Sequence, residues 1–247
     1  GALQGATDFL PVSSDGHLVV VPALLGWPHP SLTFDVAVHM ATTLALLLFF
    51  RKEWIGLIAG AWRGLKQGAP WRDRDGMLLC ALLLADVPAG VAGLLFKHWF
   101  EAQFDKARLG AMLLIVNAVI LVAAELVARR HGAGKGDGAG GSGDATGSVA
   151  AVDGPVGNVH DVGVKRGLAM GFAQIAAILP GISRSGTTIA AGLALGVRRE
   201  TAARFSFLMA APIITAAGLV QALDVLGGAA ARAGVEPGAI LLSGCAA

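Results

Sequence analysis

Of the 247 residues, 55% are hydrophobic and 15% charged, and the mean hydropathy is +0.66. That balance fits a bilayer protein and argues against a water-soluble domain. The net charge of +2 says little by itself, no nucleic-acid partner is expected, and no cleavable signal peptide is visible.

The first predicted element is a helical lead-in carrying Gln4 and Asp8, broken at Pro11, followed by Ser13, Ser14, Asp15, Gly16 and His17 and a second apolar run. A helix, a Pro/Gly/Ser break and another apolar run suit a hairpin, about 1–26, that enters a membrane, turns inside it and leaves. Apolar stretches follow at 33–50, 76–96, 108–128 and 201–226, each near the roughly 20 residues a span needs. Another begins near Gly238. With no initiating Met and an end at Ala247 inside an apolar run, the chain reads as trimmed at both ends. All five Trp (Trp27, Trp54, Trp62, Trp71 and Trp99) fall outside the spans and close to their ends, where amphipathic rings sit at headgroup level.

Basic residues set the expected orientation. Arg51, Lys52, Arg63, Lys66, Arg72 and Arg74 crowd one connection, and Arg129, Arg130, Lys135, Lys165 and Arg166 crowd the next but one. Both are then cytoplasmic, and the connection 97–106 is outside. The stretch 132–163 is rich in Gly, Ala, Ser and Asp without apolar periodicity and reads as a flexible cytoplasmic linker. It lacks the strand, the Gly-Lys-Ser/Thr and the helix of a phosphate loop. A second hairpin, about 167–197, repeats the pattern of the first: Gln174, then Pro180, Gly181, Ser183, Arg184, Ser185, Gly186, Thr187 and Thr188. It opens to the cytoplasm and the first hairpin to the outside. The expected fold is therefore an all-α polytopic membrane helix bundle of two inverted-topology repeats, 1–131 and 164–247, each with a re-entrant helix-turn-helix hairpin. Such repeats share a site near the midplane.

Several polar residues suit that site. Gln4 and Asp8, four apart, project from one helix face toward the Ser13–His17 turn, and an intramembrane carboxylate is costly unless paired or bound to a cation. Around Arg184, the glycines admit a close ligand, while the guanidinium, the Ser183 and Ser185 hydroxyls and free N–H groups make an anion receptor. Thr187 and Thr188 open the next apolar helix, whose N-terminus favours an anion. His17 suits a general acid, a general base or a phosphoryl acceptor, and Ser13 or Ser14 an activated hydroxyl. Glu125 is expected to pair with Arg129, while Asp35 and His39 are placed near the outer end of their span, facing water. Asp86, beside Pro88, reads either as part of a cavity or as a neighbour of a kink. Cys80 and Cys245 are expected as buried thiols.

The two signatures, Gln4 to His17 and Pro180 to Thr188, resemble those of the bacterial undecaprenyl-diphosphate phosphatases of the bacitracin-resistance type. The segments 34–39, 49–51 and 203–207 are also similar, so the resemblance covers nearly all of the chain outside the linker. It implies an inner-membrane enzyme that removes the terminal phosphate of undecaprenyl diphosphate, depends on a divalent cation (Mg2+ or Ca2+) and has a site open to the periplasm. The family's acidic, metal-holding pair falls on Gln4 and Asp8, its serines on Ser13 and Ser14, its histidine on His17, and its phosphate loop on Ser183, Arg184, Ser185 and Thr188. The usual Glu pair is replaced here by Gln4 and the shorter Asp8, and Asp15 is a candidate to restore the lost charge. The partners implied are a polyprenyl diphosphate lipid and the bilayer, with a homodimer left open. Two rival readings remain: a binder of the lipid diphosphate that does not hydrolyse it, and a transporter or flippase of an anionic lipid.

Overall fold

A computed structural model describes residues 2–27, 32–104, 106–130 and 156–226. Ten α-helices carry them: α1 (Ala2–Phe9), α2 (Ser14–Leu25), α3 (Leu32–Phe49), α4 (Arg51–Lys66), α5 (Arg74–Leu95), α6 (Lys97–Phe104), α7 (Ala107–Arg130), α8 (Gly163–Ala176), α9 (Arg184–Ala194) and α10 (Arg199–Leu226). Among the described residues the β-structure is a single parallel bridge between Val156 and Val197. The all-helical expectation holds.

Among the described residues three helices are long and apolar enough to cross a membrane: Arg74–Leu95, Ala107–Arg129 and Arg199–Leu219. The predicted span 33–50 is α3, in which Ala37–Phe49 is the apolar part. The Gly238 stretch, the Asp35 side chain and Cys245 lie outside the description. The spans differ in how much protein surrounds them. α7 has 17% of its apolar window buried and α10 has 44%, so α7 runs along the rim and α10 through the centre. Phe205, Leu208 and Met209 of α10 pack against Leu82 of α5 and Met170 of α8, all essentially without exposure. Met112, Ile115, Val119 and Val122 of α7 face outward, as lipid contact requires.

Lipid removes most of the hydrophobic drive between helices, so close packing of small residues has to hold them together. α5 and α8 show it best. A Cβ on Gly171 would run into the Ala85 carbonyl, and one on Gly167 would press on the Phe205 ring. Gly171→Ala is therefore expected to lower the thermal unfolding midpoint in detergent, by the equivalent of about 1–3 kcal/mol. Gly56→Ala, where an added Cβ meets open space, is the control.

Charges gather at one end of the bundle. Arg74 at the start of α5 bonds Asp161 (2.9 Å), Arg199 at the start of α10 bonds Glu125 near the end of α7 (2.6 Å), and His160 meets Asp75 (2.8 Å). Glu125 also takes the expected bond from Arg129 (2.8 Å). Nearby, the Arg63 guanidinium donates to Asp73 (2.9 Å) and holds that carboxyl below its ordinary range.

α1 and α2, and α8 and α9, are each a pair of helices joined through a break. α7 is the rail on which their second legs lie. Gly110, near the start of α7, packs on Val19 of α2, and Leu114 on Gly16. Ala124 and Ala128, toward its charged end, pack on Ala190 and Leu193 of α9. α2 and α9 thus leave the middle of α7 in opposite directions. The stretch expected as linker divides. Residues 131–155 are outside the description, while Val156 and Val162 are packed into the core at 6% and 1% exposure, tied through the Val156–Val197 bridge. That burial makes 156–162 part of the bundle.

Candidate functional site

The hairpin tips meet at Asn117, 2% exposed near the middle of α7. Its Nδ2 donates to the Pro11 carbonyl (3.1 Å), and its Oδ1 accepts from the Ser183 N–H (3.1 Å). One side chain thus braces both breaks. The tips also touch directly, because a Cβ on Gly16 would collide with Gly181 Cα. Gly181, at φ 100°, occupies a backbone region that favours glycine.

Each tip ends as a helix N-terminus. Ser13 caps α2 by accepting from the Gly16 N–H (3.2 Å), and Ser183 caps α9 by accepting from the Gly186 N–H (3.0 Å). Ser13 does so at φ 67°, a left-handed conformation unfavourable for a side-chain-bearing residue, so the turn stores strain. Between the tips lies a cavity of about 110 Å3, several times what one water needs. Asp8, Ser13, Ser14, Asp15 and His39 line one side, and Ser183, Arg184 and Ser185 the other.

Asp8 is held at both oxygens. Ser14 Oγ donates to Oδ1 (3.1 Å) and Thr42 Oγ1 to Oδ2 (2.8 Å). His39 Nε2 stands 3.5 Å from Ser14 Oγ, 3.3 Å from Asp15 Oδ1 and 3.8 Å from Asp8 Oδ1. Opposite, Ser183 Oγ and Ser185 Oγ are 3.1 Å apart. Arg184 carries a buried Nη1 with no hydrogen-bond partner, a strong donor left for an incoming anion. Two helix N-termini, a guanidinium and clustered hydroxyls suit a phosphate.

Seven of the residues nominated for the site from sequence thus share one cavity: Asp8, Ser13, Ser14, Asp15, Ser183, Arg184 and Ser185. Three others do not line it. Gln4 lies in the protein interior at 0% exposure, Thr188 turns to Ser206 Oγ of α10 (2.6 Å), and His17 directs Nδ1 to the Ser13 carbonyl (2.7 Å), bracing the strained turn. His39 and Thr42 are site residues that the motifs do not mark. They stand three apart on α3, and of the two only His39 falls in a segment, 34–39, that carries the family resemblance.

Among the described residues no group of three or more His, Cys, Asp or Glu is arranged to hold a metal ion. The donors that are present are nevertheless of the right kind. Gln4 Oε1 is buried without a partner one helical turn from Asp8, and amide plus carboxylate oxygens suit a hard cation that takes its remaining ligands from water and substrate phosphates.

Comparison with known proteins gives the chain a family. Residues 1–247 match the family described as "Bacitracin resistance protein BacA". A protein of Thermobifida fusca named undecaprenyl-diphosphatase is 36% identical over 228 residues, 92% of this chain and 69% of its own length. Proteins of the same name from Pelotomaculum thermopropionicum and Mycobacterium avium are each 39% identical over 92% of this chain, covering 75% and 77% of their own lengths. With the whole chain matched and relatives this similar, the protein belongs to the bacitracin resistance protein BacA family.

Proposed function

We infer that this chain is an integral-membrane phosphatase that hydrolyses undecaprenyl diphosphate to undecaprenyl phosphate and inorganic phosphate, recycling a lipid carrier of peptidoglycan synthesis. The observation that carries this reading is the convergence of Ser14 and Asp8 on one tip with Arg184, Ser183 and Ser185 on the other, across a cavity capped by two helix N-termini.

Those residues divide the work. Arg184 and the Ser183 and Ser185 hydroxyls take the diphosphate oxygens, and the helix N-termini offset charge that grows as the terminal phosphoryl group transfers. Ser14 Oγ attacks the terminal phosphorus and its proton passes to Asp8 Oδ1, already its hydrogen-bond acceptor. The bridging P–O bond breaks and undecaprenyl phosphate departs. Water then cleaves the phosphoserine, releasing inorganic phosphate and returning the proton to Ser14. His17 acts from behind, fixing the Ser13 turn that aims Ser14. Asp8 and Gln4 would hold a Mg2+ or Ca2+ ion, which when bound neutralises phosphate charge.

The short legs support a re-entrant reading. α8 and α9 have 14 and 11 residues, about 21 and 16 Å at 1.5 Å per residue, against a hydrocarbon core of roughly 30 Å. Arg166 of α8 reaches the Leu195 carbonyl after α9 (3.4 Å), so this hairpin opens at the charged end. By the positive-inside rule that end is cytoplasmic. α2 departs the other way along α7, which supports an inverted repeat of 1–131 and 164–247 in a bacterial inner membrane, with the first hairpin open to the periplasm. A homodimer is compatible with the outward apolar face of α7.

The test is phosphate release from undecaprenyl diphosphate by full-length protein in detergent, with and without a chelator. Release that stops with the chelator and returns with Mg2+ or Ca2+ is the expected result. A folded protein that binds the lipid and releases no phosphate would make it a binder instead.

A further inference from the structure

Asp86 of α5 is a carboxylate that the chemistry above does not use, buried at 9% exposure within a membrane span. Gln174, at 2% exposure in the last turn of α8, donates from Nε2 to Asp86 Oδ1 (3.2 Å). Asp86 Oδ2 and Gln174 Oε1 are both buried without a hydrogen-bond partner. Two orphaned acceptors on two residues already joined by one bond are a costly arrangement for an ionised carboxylate. A single proton resolves both. A carboxylic acid carries an O–H donor that a carboxylate lacks, and an acid facing a primary amide can close a ring of two hydrogen bonds.

We propose that Asp86 is a neutral acid paired to Gln174 through such a ring, and that it is a positioning residue for the hairpin that carries Arg184. This role rests on Arg184 being the phosphate receptor. The location argues for it. Beside the close α5–α8 contacts, Ala81 on Gly167 and Ala85 on Gly171, Asp86 follows Ala85 directly and meets Gln174, three residues past Gly171 on α8. Gln174 stands where α8 ends, its carbonyl accepting from the Ala177 N–H (3.0 Å), just before the turn that leads to Arg184. Fixing Gln174 therefore fixes where that turn begins. Arg184 stands at the start of α9, on the hairpin that Gln174 leads into. An ionised Asp86 would compete with phosphate for the guanidinium, whereas a neutral one leaves it to the substrate.

Asp86→Asn separates the neutral ring from an ionic role, because an Asn amide can both donate to Gln174 Oε1 and accept from Gln174 Nε2. In full-length protein, Asp86→Asn is expected to keep kcat within about threefold of the parent and to keep the unfolding midpoint. Asp86→Ala is expected to lose tenfold or more in kcat with little change in KM. Infrared spectra at neutral pH should show a protonated-carboxyl C=O band in the parent that Asp86→Asn lacks. An Asp86→Asn protein as impaired as Asp86→Ala, or the absence of that band, would overturn the proposal and make Asp86 an ionised partner of Arg184. So would an Asp86→Ala protein that matches the parent. If Arg184→Ala left phosphate release intact, the phosphate-site reading would fail by itself, and the infrared band and the stability contrast would still decide the pair.

Discussion

Arg184→Ala is expected to cut kcat for phosphate release from undecaprenyl diphosphate by about 100- to 1,000-fold, the usual loss when one charge-stabilising donor is removed from a water-poor site. The guanidinium has a buried nitrogen with no protein partner, so in the resting protein its hydrogen-bonding capacity is kept for a ligand. The loss should fall mainly on kcat, because the charge on the transferring group grows toward the transition state. Arg184→Lys should recover little, since an ammonium cannot present the planar fork that grips two phosphate oxygens. Steady-state phosphate release on the two variants and the parent decides it. A tenfold or smaller loss in Arg184→Ala would place the receptor elsewhere.

Ser14→Ala is expected to lose at least about a thousandfold in kcat, as removal of an attacking oxygen does. Its neighbour makes the contrast sharp. Ser13 lines the same cavity, but its hydroxyl oxygen is occupied as the cap of α2. Ser13→Ala should therefore cost about 1 kcal/mol of stability with a smaller effect on turnover. Rapid-quench trapping of a phosphoprotein in the parent, absent from Ser14→Ala, would identify the attacking oxygen directly. Equal rates in the two serine variants would shift the attack to water.

How much of this is legible in the chain depends on whether the signal is local. Pro11 with Ser13 and Ser14, and Pro180 with Gly181 and Ser183, announce their own turns, because those residues break or cap helices whatever surrounds them. The residues at the turns, Asp8, Ser14, Arg184 and the paired serines, can therefore be nominated from the chain alone. Asn117, Thr42, His39 and Gln174 cannot be given roles that way. Each is a polar residue on a largely apolar helix, and its partner is set by which helix packs alongside, something periodicity within one helix does not encode. Asp86 stands out in the chain, but its pairing across 88 residues does not. The segment 156–162 reads as linker because the Gly-rich run just before it masks the burial of Val156 and Val162.

Asn117 stands ten residues into α7, about 15 Å along the helix at 1.5 Å per residue. On the re-entrant arrangement proposed above, a reaction centre braced there draws the charged headgroup of the lipid substrate from the bilayer surface toward the middle while its tail stays among the acyl chains. The depth of that descent is set by rigid helix on the protein side and by the host lipids on the other. Bilayer thickness thereby becomes a variable of the reaction. Membranes of short-chain lipids shorten the journey, long-chain ones lengthen it, and turnover is coupled to the mechanical state of the membrane in which the enzyme sits.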